Sequence, residues 1–161
     1  MSLEPHSGLA VAIVAGAASQ PGRDVALGLA GWGWPIVVVY LEDQAEAEAT
    51  VVAIIEGGSA SVAVRADLLD DLDVQRLFAE SISAFGVVNV LVVSTSDSAG
   101  PLYEHAARYL REGGLIVSMT GTAAPSPGLR SKLRKRSIVV GRVPPGAVLA
   151  FLERWRQQNH N

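Results

Sequence analysis

Short apolar runs alternate along the chain with longer segments in which apolar residues recur at helical spacing. The runs at 9–15 (LAVAIVA), 35–41 (PIVVVYL), 61–66 (SVAVRA), 88–94 (VNVLVVS), 114–119 (GLIVSM) and 137–142 (SIVVGR) are rich in β-branched residues and read as strands. Segments near 21–31, 43–57, 70–85, 102–112 and 146–158 read as helices. Nearly continuous apolar strands separated by helices belong to a parallel sheet covered on both faces, since such strands bury both their sides. The expected fold is therefore α/β, a doubly wound parallel sheet in three α/β/α layers with strand order 3-2-1-4-5-6.

The third helix is the most legible. Leu72, Gln75, Arg76, Leu77, Phe78, Ser81 and Ile82 define one side and Asp71, Asp73 and Glu80 the other, while the opening DDLD offers N-cap oxygens and negative charge to the positive end of the dipole. The last helix, VLAFLERWRQQ, carries Leu149, Leu152 and Trp155 along one stripe and is expected to pack on the core.

Composition narrows the picture. The 161 residues are 49% hydrophobic and 18% charged, with a formal charge of −3, which suits one globular domain over 9–161 preceded by a disordered or cloning-derived tail over 1–8 (MSLEPHSG). With no cysteine, the sequence excludes disulfides, thiolate nucleophiles and Cys-based metal sites, and it fits a cytoplasmic protein. His6, His105 and His160 are too scattered to suggest metal ligands, and no apolar run is long enough to cross a bilayer. Net acidity argues against nucleic acid as a partner.

The stretch AGAASQPGR, residues 15 to 23, leaves the first strand and opens the first helix. Amides near Gly22, Arg23 and Asp24 would then form a helix N-terminus suited to a pyrophosphate, the arrangement of a Rossmann-like dinucleotide turn. A tight strand-to-helix turn without ligand is the alternative.

That stretch, continued as AGAASQPGRDVALGLAGWG, resembles the TGxxxGxG segment of the short-chain dehydrogenase/reductase family, with Gly16 and Gly22 at its first and last glycines and Ala15 and Gln20 departing from it. RADLLD at 65 to 70 resembles the family's acidic motif after the third strand. LFAESISAFGVVNVLV at 77 to 92 is similar to the helix and strand before the NNAG motif, LREGGLIVSMTG at 110 to 121 to the fifth strand, and IVVGRVPPGAV at 138 to 148 to the sixth strand and its Pro-Gly turn. The resemblance implies a divergent, truncated relative of 3-oxoacyl-(acyl-carrier-protein) reductases that takes NAD or NADP. It implies a cofactor-contact set of Gly16, Ala18, Ser19, Gln20, Gly22 and Arg23 in the turn, Leu41 and Glu42 after the second strand, Asp67 and Leu68 after the third, and Ser94 after the fourth. Glu42 would hold the ribose or else sit in a helix N-cap region, and Arg23 would meet a phosphate or else be an ordinary surface residue.

The departures fall where the family's chemistry lies. VSTS, Val93 to Ser96, stands in place of NNAG and removes the paired amides that pin the sheet to the cofactor region. Only DSAGP then precedes the next helix, so the family's long fourth helix and its asparagine are expected to be missing. Gly121, between Thr120 and Thr122, falls at the family's serine. None of Tyr40, Tyr103 and Tyr109 has a lysine four residues on; Ser131 and Lys135 are the nearest formal relic. Carbonyl reduction needs a proton donor at the developing alkoxide, a role that suits a phenol whose pKa a neighbouring ammonium lowers. A serine or threonine hydroxyl is too weak an acid, so no catalytic residue and no metal ligand is assigned. Gln20 is expected to obstruct the ligand unless it points outward, and Pro21 to remove one amide.

LRSKLRKR at 129 to 136, with five basic residues in eight, reads as a solvated linker; a 2′-phosphate, an acidic partner or nucleic acid are the alternatives. Trp32 and Trp34 would cap the sheet's lower edge or serve an interface, and any association should avoid the usual family helices. Three readings follow: a divergent NAD(P)-dependent oxidoreductase of a carbonyl or alcohol substrate, a non-catalytic nucleotide-sensing or structural pseudoenzyme, and a binding module without nucleotide.

Overall fold

The computed structural model describes residues 9–94, 100–119 and 125–159. Six strands and six helices alternate as β1 (Ala12–Ala15), α1 (Gly22–Ala30), β2 (Ile36–Tyr40), α2 (Gln44–Glu56), β3 (Ser61–Arg65), α3 (Asp71–Phe85), β4 (Val90–Val93), α4 (Gly100–Tyr109), β5 (Leu115–Met119), α5 (Pro127–Lys135), β6 (Val139–Val143) and α6 (Val148–Asn159). All strand pairs are parallel, in the order β3-β2-β1-β4-β5-β6. The doubly wound sheet of three layers is thus present, and the expected strand order is the observed one. The segment 1–8, including His6, lies outside the described residues, as do Thr95, Ser96, Thr120, Gly121, Thr122 and His160.

Strand alternation sorts the core into two layers. Ile13, Val37, Val39, Leu91 and Ile116 face α3, α4 and α5, where they meet Leu77, Phe78, Leu102 and Leu133. Ala12, Val14, Ile36, Val38, Val90 and Val117 face α1, α2 and α6, where they meet Val25, Leu29, Ile54 and Leu152. Period-two placement of apolar side chains on strands buried on both sides produces this division. Below the sheet Asn89 closes β1 onto β4: its Oδ1 accepts from Val11 N at 2.9 Å, and its own amide donates to Val11 O at 2.9 Å.

Helix α3 starts as its sequence requires. Asp70 is the N-cap, its carboxylate accepting from Leu72 N at 3.0 Å, and Gly86 ends the helix with a φ of +85°. The buried positions are Val74, Leu77, Phe78 and Ser81, whereas Leu72 is 71% exposed and does not belong to the core face expected for it. It lies in the first turn, ahead of the buried stripe that begins at Val74.

The basic run is a helix, not a linker. Ser126 caps α5, its hydroxyl accepting from Leu129 N at 3.3 Å, Pro127 starts it, and Leu129 and Leu133 bury one stripe. Lys132, Arg134 and Lys135 then face the negative end of its dipole. α4 is present between β4 and β5 but only ten residues long.

Trp34 is fully buried at the start of β2, edge-on to Trp32 at 5.3 Å and to Trp155 of α6 at 6.2 Å, and the Arg156 guanidinium lies 4.5 Å from the Trp32 ring centre. The tryptophans therefore close the lower end of the sheet.

Candidate functional site

At the upper, carboxyl-terminal end of the sheet the chain leaves β1 at Gly16, whose φ of +93° lies in the left-handed region. A Cβ on Gly16 would overlap the Ser94 hydroxyl, and one on Gly22 would overlap the Gly16 carbonyl oxygen and come within 2.6 Å of Ser94 Oγ. Both glycines are thus required by the packing of the turn on the end of β4. Ser94 completes the joint: its hydroxyl donates to Ala15 O at 2.5 Å and its amide donates to the same carbonyl at 3.1 Å. A single hydroxyl therefore pins β4 to β1, although the paired amides expected there are absent. From the other side Thr50, fully buried on α2, shares its hydroxyl hydrogen between Glu46 O at 3.0 Å in its own helix and Ala17 O at 3.3 Å in the turn.

The helix N-terminus is less open than its sequence suggests. Gln20 does not line the cleft beside this turn. It folds along the first turn of α1, with Oε1 accepting from Asp24 N at 3.1 Å and Nε2 donating to Asp24 Oδ1 at 2.8 Å. The Arg23 amide donates to Ser19 O at 2.9 Å. Pro21, joined to Gln20 through a cis peptide, occupies the N-cap position and has no amide hydrogen. Of the amides expected to cradle a pyrophosphate, Gly22 alone has no protein acceptor among the described residues, because Ser19 and Gln20 already satisfy the other two. Arg23 is half-buried, and its Nε is fully buried without an acceptor among the described residues.

Beside the turn lies a cleft of about 200 Å³ with three walls. Gly16, Ala18 and Ser19 form one, Val39, Tyr40, Leu41 and Asp43 the second, and Ala66, Asp67, Leu68 and Leu69 the third. Six of the residues expected at the cofactor share it: Gly16, Ala18, Ser19, Leu41, Asp67 and Leu68. Gln20, Gly22, Arg23, Glu42 and Ser94 do not line it.

Besides Asp67, the acidic residue in the cleft is Asp43, one position beyond the Glu42 expected there, which does not line it. Asp43 holds the N-cap position of α2, yet its carboxylate caps no helix amide. The third wall is braced from α3. Asp67 Oδ1 accepts from Leu69 N at 3.0 Å in an Asx turn, and the Asp67 amide donates to Asp73 Oδ2 at 2.9 Å. That amide, with Arg76 adding positive charge, holds the Asp73 carboxyl below its ordinary value. Arg76 also donates to Arg65 O at 2.6 Å, so the end of β3 and the start of α3 form one unit. Thr50, Asp43 and Asp73 were not among the residues expected at the cofactor. The pairing of Asp73 with an amide six residues back has no local sequence signal.

Two of the three tyrosines lie away from the cleft. Tyr103 is buried in α4, and Tyr109 stacks on Phe78 at 6.0 Å and on His105 at 5.9 Å. His105 Nε2 lies 2.8 Å from Asp71 Oδ1, clamping α4 to α3. Tyr40 forms part of the cleft wall. Ser131 and Lys135 are both exposed on α5. Among the described residues no group of three or more His, Asp or Glu could hold a metal, and no helix is long and apolar enough to cross a membrane.

Residues 10–122 match the family model described as short chain dehydrogenase. A hydroxynaphthalene reductase-like protein of Metarhizium brunneum is 30% identical over 142 residues, covering 74% of this chain and 53% of the relative. The 3-oxoacyl-acyl-carrier-protein reductase of Staphylococcus aureus is 38% identical over 81 residues, covering 50% of this chain and 33% of its own. The chain thus spans about half the length of the first of these relatives, and a third of the second. Among solved structures, a short-chain dehydrogenase from Oenococcus oeni superposes with a TM-score of 0.80 at 14% identity, covering 97% of this chain and 92% of its own. A Burkholderia cenocepacia dehydrogenase with bound NADP gives 0.70 at 21% identity, covering 86% and 71%.

Proposed function

The chain belongs to the short-chain dehydrogenase family, and on that premise we propose that it binds the adenosine half of NAD(P) in the cleft beside the glycine turn while supplying little or no catalysis of its own. The three-walled cleft carries the reading. Val39, Leu41, Ala66 and Leu68 offer apolar sides for a flat base, and the uncommitted Asp43 carboxylate is placed for ribose hydroxyls, which favours NAD over NADP because no cation lines the cleft. Gly22 N and the unpartnered Arg23 Nε remain as donors for the diphosphate. Gln20 takes the Asp24 amide that would add a third, so binding should be weak.

The nicotinamide, when bound, supplies hydride chemistry for a carbonyl or alcohol substrate of the oxidoreductase class. What this chain lacks is the proton donor: the segment between β5 and β6 has no tyrosine, and the exposed Ser131 and Lys135 pair cannot replace a phenol. A nucleotide-sensing or structural role accounts for a cleft kept without that donor.

Thermal melts with and without millimolar NADH and NADPH test the binding. A ligand at a hundred times its Kd stabilises a fold by about 2.7 kcal/mol. The expected result is a small shift, larger with NADH. No shift with either cofactor would sink the proposal. Following cofactor absorbance with ketones and 3-oxoacyl thioesters should show turnover absent or very slow.

A further inference from the structure

A second cleft lies at the other side of the sheet. It measures about 510 Å³, within the range of small-molecule sites, and sits between α5 and the edge strand β6. It shares no residue with the cleft beside the glycine turn. Between β2 and β6 stand β1, β4 and β5, so at about 4.8 Å per strand the two are on the order of 19 Å apart. The basic run therefore cannot meet a 2′-phosphate on an adenosine held at β2 and β3.

Its lining is amphipathic in a specific way. Leu133 and Ile138, both buried, and Val140 form an apolar floor, and Arg130, Arg134 and Arg142 stand around it. Charge along the chain is segregated to match: residues 113–152 contain six cations and no acid, although the whole chain is net negative. Two of the neighbouring cations turn away from the cleft. Lys132 lies 3.6 Å from Glu104, and Arg136 donates to Ala107 O at 3.0 Å, both on the α4 side. Arg130 donates only its Nε, to Pro125 O, and Arg134 has no acidic partner among the described residues. Charges that merely guard an exposed sheet edge need no apolar floor. Guanidinium groups around a cleft with one match a ligand that has an anionic head and an apolar body.

We propose that the cleft between α5 and β6 is a second binding site, which takes an amphipathic anion, a carboxylate or phosphate monoester with a hydrocarbon portion, through Arg130, Arg134 and Arg142. The head group lies among the guanidinium groups, and the hydrocarbon covers Leu133, Ile138 and Val140.

Titration calorimetry of the intact chain with decyl phosphate and decanoate below their micelle concentrations tests this, with inorganic phosphate and decyltrimethylammonium as the head-only and opposite-charge controls. Saturable one-to-one binding of the two anions is expected, at least about tenfold tighter than either control. Arg134→Glu and Arg130→Glu, both at exposed positions, should each weaken it by about tenfold or more and leave the NADH-induced thermal shift unchanged. The proposal is overturned if no saturable binding occurs, if either control binds as well as the amphipathic anions, or if both variants bind like the parent.

Discussion

The Ser94 hydroxyl occupies the space that a Cβ on Gly16 would need, and it is fixed there by donating to the carbonyl of Ala15. The glycine of a nucleotide-type turn is thus demanded by a neighbouring strand before any ligand is considered. The same holds for Gly22, whose missing Cβ makes room for the Gly16 carbonyl. Two glycines in register therefore testify to the joint between β1, β4 and α1. The proposal of a nucleotide rests instead on the cleft beside them.

Gly16→Ala should destabilise the free protein by about 2–4 kcal/mol, through overlap with Ser94 and through a side chain forced to positive φ. Ser94→Ala alone loses one hydrogen bond, about 1 kcal/mol. Combined, the two should cost at least 1 kcal/mol less than their sum, since removing the hydroxyl clears the space for the new methyl. Urea unfolding of the four proteins measures the coupling, and strict additivity would show that the overlap is relieved in some other way.

Gln20→Gly should move two readouts in opposite directions. Without nucleotide the midpoint falls, because the two bonds to Asp24 are lost at an exposed position, about 1 kcal/mol in all. With NADH the ligand-induced rise should grow, as the Asp24 amide becomes available to the diphosphate; a three- to tenfold tighter Kd is about 0.7–1.4 kcal/mol. An unaltered nucleotide shift would mean that Gln20 does not compete with the ligand.

Asp43→Ser should erase the preference for NADH over NADPH, changing the ratio of their dissociation constants by about tenfold. Glu42→Ser, one residue earlier and facing solvent, should leave the ratio alone. Equal effects from both would remove Asp43 from its assigned place at the ribose.

Asp73 predicts a dependence on pH. Its carboxyl titrates below the ordinary value of 3.8, chiefly because it accepts the Asp67 amide, so the stability it contributes is present above about pH 4 and is lost as pH falls through the lower folded value. Melts of the parent and of Asp73→Asn should differ by a constant amount from pH 7 to about pH 5, and the difference should narrow progressively as the pH falls below about 4. A gap that does not narrow at all as the pH falls below about 4 would show that the bond does not depend on the charge.

Much of the fold was legible because its signals are local. Strands buried on both faces produce unbroken apolar runs, and the Asp70 cap and Gly86 stop of α3 lie within its own sequence. α5 was missed even though Ser126, Pro127, Leu129 and Leu133 spell a capped amphipathic helix, because five cations in eight residues outweigh two leucines in any compositional reading. At the site, spacing placed Gly16, Ala18 and Ser19 on the turn and Asp67 and Leu68 after β3, and these five line the cleft. Glu42 was expected at the cleft and Asp43 lines it, a one-residue shift at a strand end that depends on where the strand stops pairing with β3. The role of Gln20 was half legible: its bulk was evident, whereas its reach to Asp24 depends on a rotamer.

The three tryptophans of the chain, Trp32, Trp34 and Trp155, form a single cluster at the end of the sheet away from the glycine turn, two of them just before β2 and one on α6. Their emission is a built-in optical gauge of whether the final helix is seated against the sheet. A variant of Gly16, Gln20 or Asp43 that alters nucleotide affinity with an unchanged emission maximum has damaged only the upper rim, whereas a red shift marks the whole fold letting water in. Local and global failure can thus be separated in one cuvette without a label.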